Sequence, residues 1–309
     1  MIQTDPVLPP PWIGQPYSIK RHGVSITNCD SEPVQTPGCV QAHGAMLVLR
    51  PSDLTILQAS ENTDRLLGHP AEALLNKPVH TAVGADGEAS LRAFLANEPT
   101  DRNPIYVFTL PARNDVPPLD VTAHTIDGVA VVEFEATGRT KAGEPDYYTL
   151  VKKTVARLQT ANTLREFCDL TADDFRTLTG LDRVMVYKFH ADGHGEVFAE
   201  SKRPDLSPWL GLHYPPEDIP KPAREVFKMV WIRPTPDVSG ELAELVPLAN
   251  PDTGRPLTMT YCALRGASVM YTEYLKNMKV TAALTLAIRS GGELWGFING
   301  HHYDGPKFV

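Results

Sequence analysis

The chain has 309 residues, 42% hydrophobic and 21% charged, with a formal net charge of −8. That length predicts one large domain or two ordinary ones, and the composition is that of a globular protein. The acidic balance argues against a general nucleic-acid surface, and no apolar run approaches the roughly 20 residues that span a bilayer.

Residues 1–28 read as an extension. "MIQTDPVLPPPWIGQPYSIK" has no basic stretch followed by an apolar core, so it is no secretory signal, and its prolines predict an extended arm. The strands expected next are "VQAHGAMLVLR" (40–50), "TILQAS" (55–60), "PIYVFTL" (104–110), "LDVTAH" (119–124) and "VAVVEFEA" (129–136), with short helices at 63–67 and 88–97. Together 29–136 predict a compact α+β domain. "TGRTKAGEPD" (137–146) is polar, carries Gly and Pro, and reads as a linker.

A second domain is expected over 147–309. Val151, Val155 and Leu158 give a helix its apolar face, and Thr163 can cap the next, 164–178. "RVMVYKF" (183–189) and "GEVFAES" (195–201) read as strands, and helices are expected at 221–230 and 267–278. "VTAALTLAIR" and "ELWGFINGHH" close the chain as a hairpin turning at Ser290, Gly291 and Gly292. The whole is an α+β protein: two domains, each an antiparallel sheet flanked by helices.

"GLHYPPEDIPKPAREVF" (211–227) holds Asp218 in a corner of prolines just ahead of a helix. Proline fixes its own φ and restricts the residue before it, so the carboxylate is held along one narrow path. Helix capping is the plain reading of an aspartate there. The four cysteines, Cys29, Cys39, Cys168 and Cys262, form no CxxC or Cys/His ladder. No structural metal site is expected, and a reduced, cytoplasmic setting is. Cys168 falls on an apolar helical face, and Cys262 has no evident base beside it. Cys29 lies in the polar stretch "TNCDSEP", where no apolar pattern explains it by burial.

Taken together, the motifs resemble those of bacterial phytochromes. "NCDSEPVQTPGCVQAHGAMLVL" is similar to the family's N-terminal signature, "PPEDIP" to its PASDIP segment, and "YLKNMKVTAALTLAI…ELWGFINGHH" to its last helix and hairpin. The resemblance implies a PAS domain followed by a GAF domain, with a figure-of-eight knot. It implies a linear tetrapyrrole, biliverdin, in the GAF domain, joined by a thioether from Cys29, and red/far-red photoreception by chromophore isomerisation. It assigns Arg233 and Arg265 to the propionates, with Ser268 and Thr285 as hydroxyl partners. Tyr187, Tyr214 and Tyr274 become pocket aromatics, with Met185, Ile219 and Met278 as walls. Pro220 completes the corner, Asp218 faces the pyrroles, and His301 faces the ring D carbonyl. Two departures stand out: Tyr271 replaces the usual histidine, and Ala283 a common serine. The resemblance also implies a homodimer, and PHY and output domains, such as a histidine kinase, that this chain lacks.

Two other function classes compete. A GAF-type sensor of a small ligand such as a cyclic nucleotide would share the fold without needing Cys29. An enzyme built on Asp218 with His190, His194, His301 and His302 finds no HExxH, GxSxG or phosphate-loop pattern to support it. No catalysis is expected beyond the chain's own bilin attachment.

Overall fold

The computed structural model describes residues 15–22, 24, 31–97, 103–137, 147–219 and 221–309. In chain order the elements are β1 (Cys39–Gln41), β2 (Ala45–Leu49), β3 (Ile56–Ser60), α1 (Thr63–Leu67), α2 (Ala71–Leu74), α3 (His80–Asn97), β4 (Ile105–Leu110), β5 (Leu119–Ile126) and β6 (Val129–Ala136). There follow α4 (Tyr147–Leu158), α5 (Leu164–Thr179), β7 (Arg183–Phe189), β8 (Gly195–Lys202), β9 (His213–Tyr214), α6 (Lys221–Met229), β10 (Ile232–Thr235), β11 (Leu242–Val246), α7 (Val269–Asn277), β12 (Ala282–Ser290) and β13 (Glu293–His302).

Two compact units result, and neither is one continuous segment. The first joins Met1–Ala136 to Glu241–Tyr271, and the second joins Thr137–Gly240 to Thr272–Val309. The expected boundaries were linear, with everything after 147 in one domain. Residues 241–271 instead pack with the first unit, because β11 enters its sheet between β1 and β3.

The first sheet runs β1-β11-β3-β2-β6-β5-β4. Every residue of β2 is buried. Ala45, Leu47 and Leu49 pack with Leu67, Leu74 and Leu91 of the helices, while Met46 and Val48 pack with Leu257, Met259 and Leu264 of the returning segment. A strand covered on both faces loses the alternation that marks a half-buried one. The single strand expected over 40–50 is in fact two. Between them a Cβ at Gly44 would stand 2.5 Å from the Leu264 side chain and 2.7 Å from the Phe134 carbonyl oxygen, so only glycine passes. The helix expected at 88–97 begins earlier, at His80, and is broken at Gly84 (φ 77°).

The second sheet runs β10-β12-β13-β7-β8-β9, antiparallel throughout. Thr163 caps α5 as expected: its hydroxyl accepts from the Glu166 amide at 3.1 Å, and the Glu166 carboxylate accepts from the Asn162 amide at 2.8 Å. Among the described residues no helix is long and apolar enough to cross a membrane.

Candidate functional site

Strand register in the second sheet decides which side chains share a face. Arg233 stands opposite Thr285, Thr285 opposite Asn299, and Ala283 opposite His301. Asn299 in turn faces Met185, and Phe297 faces Tyr187. Cross-strand partners lie on one face and every second residue returns to it. Arg233, Thr285, His301 and Tyr187 therefore project from the same side. The other side, with Leu284, Leu286, Val186 and Ile298, packs on Cys168, Ala172 and Phe175 of α5.

On the site face Met185, Tyr187, Val197 and Phe297 form a buried centre, with Trp209, Tyr214, Ile219 and Phe227 against it. The Tyr187 ring lies 5.5 Å from Phe189 at 80° and 6.0 Å from Tyr214 at 44°. Its space is reserved by Gly195, where a Cβ would come within 1.9 Å of the phenol. Burial, and then the Asp218 charge, push the Tyr187 hydroxyl up to about 12.

Asp218 is not the cap of α6. That helix begins at Lys221, whereas Pro216–Asp218 form a separate 3₁₀ turn in which the Asp218 amide donates to the Pro215 carbonyl at 3.2 Å. The corner is held by Arg224. Its Nε donates to the Ile219 carbonyl at 2.7 Å, its Nη2 to the Pro216 carbonyl at 2.7 Å, and its guanidinium lies 4.4 Å over the Phe189 ring. The exposed Asp218 carboxylate accepts the Tyr274 hydroxyl, and burial followed by the Asp218 charge raises that phenol above its ordinary value. Backbone clamping of the turn leaves the carboxylate itself available.

His301 is buried, and its Nδ1 has no hydrogen-bond partner among the described residues. Its ring meets the edge of Trp209 at 5.8 Å. Below it runs a charged network that the sequence reading missed. Arg183 pairs with Glu200, donates to the Ser207 carbonyl at 2.8 Å and to the Tyr303 hydroxyl at 3.1 Å, and stacks 3.9 Å over Trp209. Glu200 also accepts from the Trp209 and Leu210 amides. The available signal was an arginine opening a strand whose next four residues, Val184–Tyr187, are apolar or aromatic. For Arg224 there was none, because its partners are backbone carbonyls.

The remaining expected residues divide as follows. Arg265, Ser268 and Tyr271 belong to the first unit. Arg265 is buried, and its carbonyl accepts from Gln41 Nε2 at 3.4 Å. Ser268 donates to Glu32 at 2.5 Å, and the other Glu32 oxygen accepts the Tyr17 hydroxyl at 3.2 Å. Tyr271 sits on α7, three residues before Tyr274. Cys29 and Pro220 lie outside the described residues. Cys262 was expected to have no base beside it, yet His124 Nε2 lies 3.9 Å from its sulfur.

The two buried histidines set a pH dependence. Burial lowers His124 to about 4, and burial followed by the Arg183 charge lowers His301 to about 3. Unfolded, both titrate near 6.5. Below that value the unfolded chain takes up protons the folded chain refuses, so stability falls as pH falls, by at most about 1.4 kcal/mol per pH unit for each histidine. Urea unfolding of the apoprotein at pH 7 and pH 5 should show this loss, and His124→Gln should shrink it. An unchanged difference in the variant would contradict the assignment.

Family models match along the chain: the PAS fold over residues 29–137 and the GAF domain over residues 163–309. Cyanobacterial phytochrome B of Nostoc sp. is 38% identical over 288 residues, and the bacteriophytochrome of Pseudomonas aeruginosa 34% over 289. Each alignment covers 93% of this chain but only 38% of the relative's length. Among solved structures, the chromophore-binding domain of a Stigmatella aurantiaca phytochrome matches with a TM-score of 0.80 at 33% identity, covering 91% of this chain and 93% of that one. That of an unusual bacteriophytochrome from R. palustris matches at 0.83 and 32%, covering 91% of both. The two units are thus a PAS domain and a GAF domain in the order those chromophore-binding domains show, and the chain belongs to the bacterial phytochrome family.

Proposed function

We propose that this chain is the chromophore-binding part of a red/far-red light receptor and that its bilin is biliverdin, held on the site face of the GAF sheet. The observation that carries this reading is the pairing of a polar rim with an aromatic floor on one side of one sheet. A tetrapyrrole presents an apolar conjugated body, two carboxylates, a row of pyrrole N–H groups and a terminal carbonyl. The residues suit it. The floor is Met185, Tyr187 and Phe297, and Arg233 stands beside the Thr285 hydroxyl for a propionate. Buried His301, with its unpartnered Nδ1, suits a carbonyl. When bound, the bilin supplies light absorption and a double bond that isomerises.

The chain's own residues do the rest. Arg224 fixes the carbonyls of the 216–219 turn while leaving the Asp218 side chain able to change partner. In the structure that partner is the Tyr274 hydroxyl. Movement of the chromophore can then be read as an exchange at the Asp218 carboxylate. Exposed Tyr148, Val151 and Val155 on α4 support a homodimer formed through this domain.

Asp218→Asn tests the reading. Asparagine keeps the polar contact but loses the charge. The exposed position limits the stability change to about 1 kcal/mol or less. Covalent loading should persist, while photoproduct yield or emission changes clearly. A variant that loses stability and keeps its photochemistry would return Asp218 to a structural role.

A further inference from the structure

We propose that His190, His194 and His213 form a binding site for one divalent transition-metal ion of borderline softness: copper(II), nickel(II) or zinc(II). One nitrogen from each ring lies within 4.8 Å of the others. Imidazole nitrogens sharing an ion at 2.0–2.1 Å stand at most about 4 Å apart, so modest side-chain rotations close the set. No run of metal ligands is visible along the sequence, because the third histidine comes from a strand brought in by sheet pairing.

The fold delivers the three rings independently of any ion. Residues 190–194 make a tight turn. The His190 amide donates to the His194 carbonyl and the Gly193 amide to the His190 carbonyl, both at 2.9 Å, with Gly193 at φ 90°. This turn stacks the two rings at 4.2 Å and 6°. β9 then sets His213 opposite Glu196, with its ring 5.1 Å from His194. The backbone bonds alone close the turn, so the ring cluster is not needed to make it.

Two carboxylates stand where ligand histidines usually find their orienting partners. Glu196 meets His190 Nε2 at 2.9 Å, and Asp192 meets His194 Nδ1 at 2.5 Å. A carboxylate that accepts one ring N–H fixes the tautomer and presents the other nitrogen as a base. His190 would then bind through Nδ1 and His194 through Nε2. Imidazole donors favour copper over zinc and nickel in affinity. All three rings are half-buried or exposed, so an ion can enter from solvent.

The test uses tag-free apoprotein carrying Cys29→Ala, so that neither the bilin nor that thiol competes for metal. Titrated with copper(II) alone, it should take up one tight equivalent whose electron paramagnetic resonance spectrum shows nitrogen hyperfine splitting, and zinc(II) should displace that copper only in large excess. His194→Ala and His213→Ala should each weaken uptake at least tenfold, and Glu196→Gln about tenfold. Circular dichroism checks that each variant is folded. Uptake unchanged in the folded His194→Ala/His213→Ala double variant, or no uptake by the parent protein at micromolar copper, would overturn the site.

Discussion

Replacing Cys29 with alanine is expected to abolish covalent bilin attachment outright, while leaving reversible binding in place. Such an attachment would need a thiolate, and adding its sulfur across a vinyl group with a proton to the other carbon would consume no oxidant. The other three cysteines are buried, at 0% exposure for Cys39, 3% for Cys168 and 2% for Cys262. Burial pushes the Cys39 and Cys168 thiols up, away from thiolate formation. Both flanks of Cys29 are anchored within the PAS unit. Ser18 donates to Glu244 at 2.5 Å, the Ile19 amide to the Pro37 carbonyl at 3.1 Å, and Tyr17 to Glu32 at 3.2 Å. Gly38 lets this packing close, since a Cβ there would fall 2.5 Å from the Tyr17 carbonyl oxygen. Denaturing electrophoresis of reconstituted protein should show a coloured band for the parent and none for Cys29→Ala. A mass increment at Cys39 or Cys262 would contradict the assignment.

The second large effect is on stability. Arg183 and Glu200 are 2% and 3% exposed and satisfy each other in the GAF interior. Removing either member leaves a buried charge without its counterpart, a change that costs about 3–5 kcal/mol. Arg183→Ala also strips the cation from the Trp209 face and the donors from Ser207 and Tyr303. For a domain of this size that is a fall of roughly 10 °C in Tm. Removing both partners should cost clearly less than the sum of the single variants, because neither charge is then stranded. Thermal unfolding of the four proteins measures the coupling, and a loss under about 1 kcal/mol in either single variant would show the pair to be solvated.

Much of the fold was legible because its signals are local. The Thr163–Glu166 capping pair, the alternation of β8 and the Ser290–Gly292 turn each act within a few residues. The excursion 241–271 was not legible. β11 is five residues long, and its partners β1 and β3 lie near the other end of the chain. Nothing near Leu242 announces them. β9 and β10 escaped for a similar reason: two and four residues are too few to show a period. The site divided along the same line. Asp218, Tyr187 and His301 could be named from motifs, while Arg183 and Arg224 act through distant or backbone partners that no spacing reveals.

Mixing the apoprotein with biliverdin and recording its absorption before and after red light tests the central claim most directly. A site that seats an extended, protonated bilin against Asp218 predicts a narrow, intense band in the red that grows on mixing, diminishes under red light and recovers in darkness or far-red light. A spectrum that stays the sum of free biliverdin and protein, with no response to light, would contradict it.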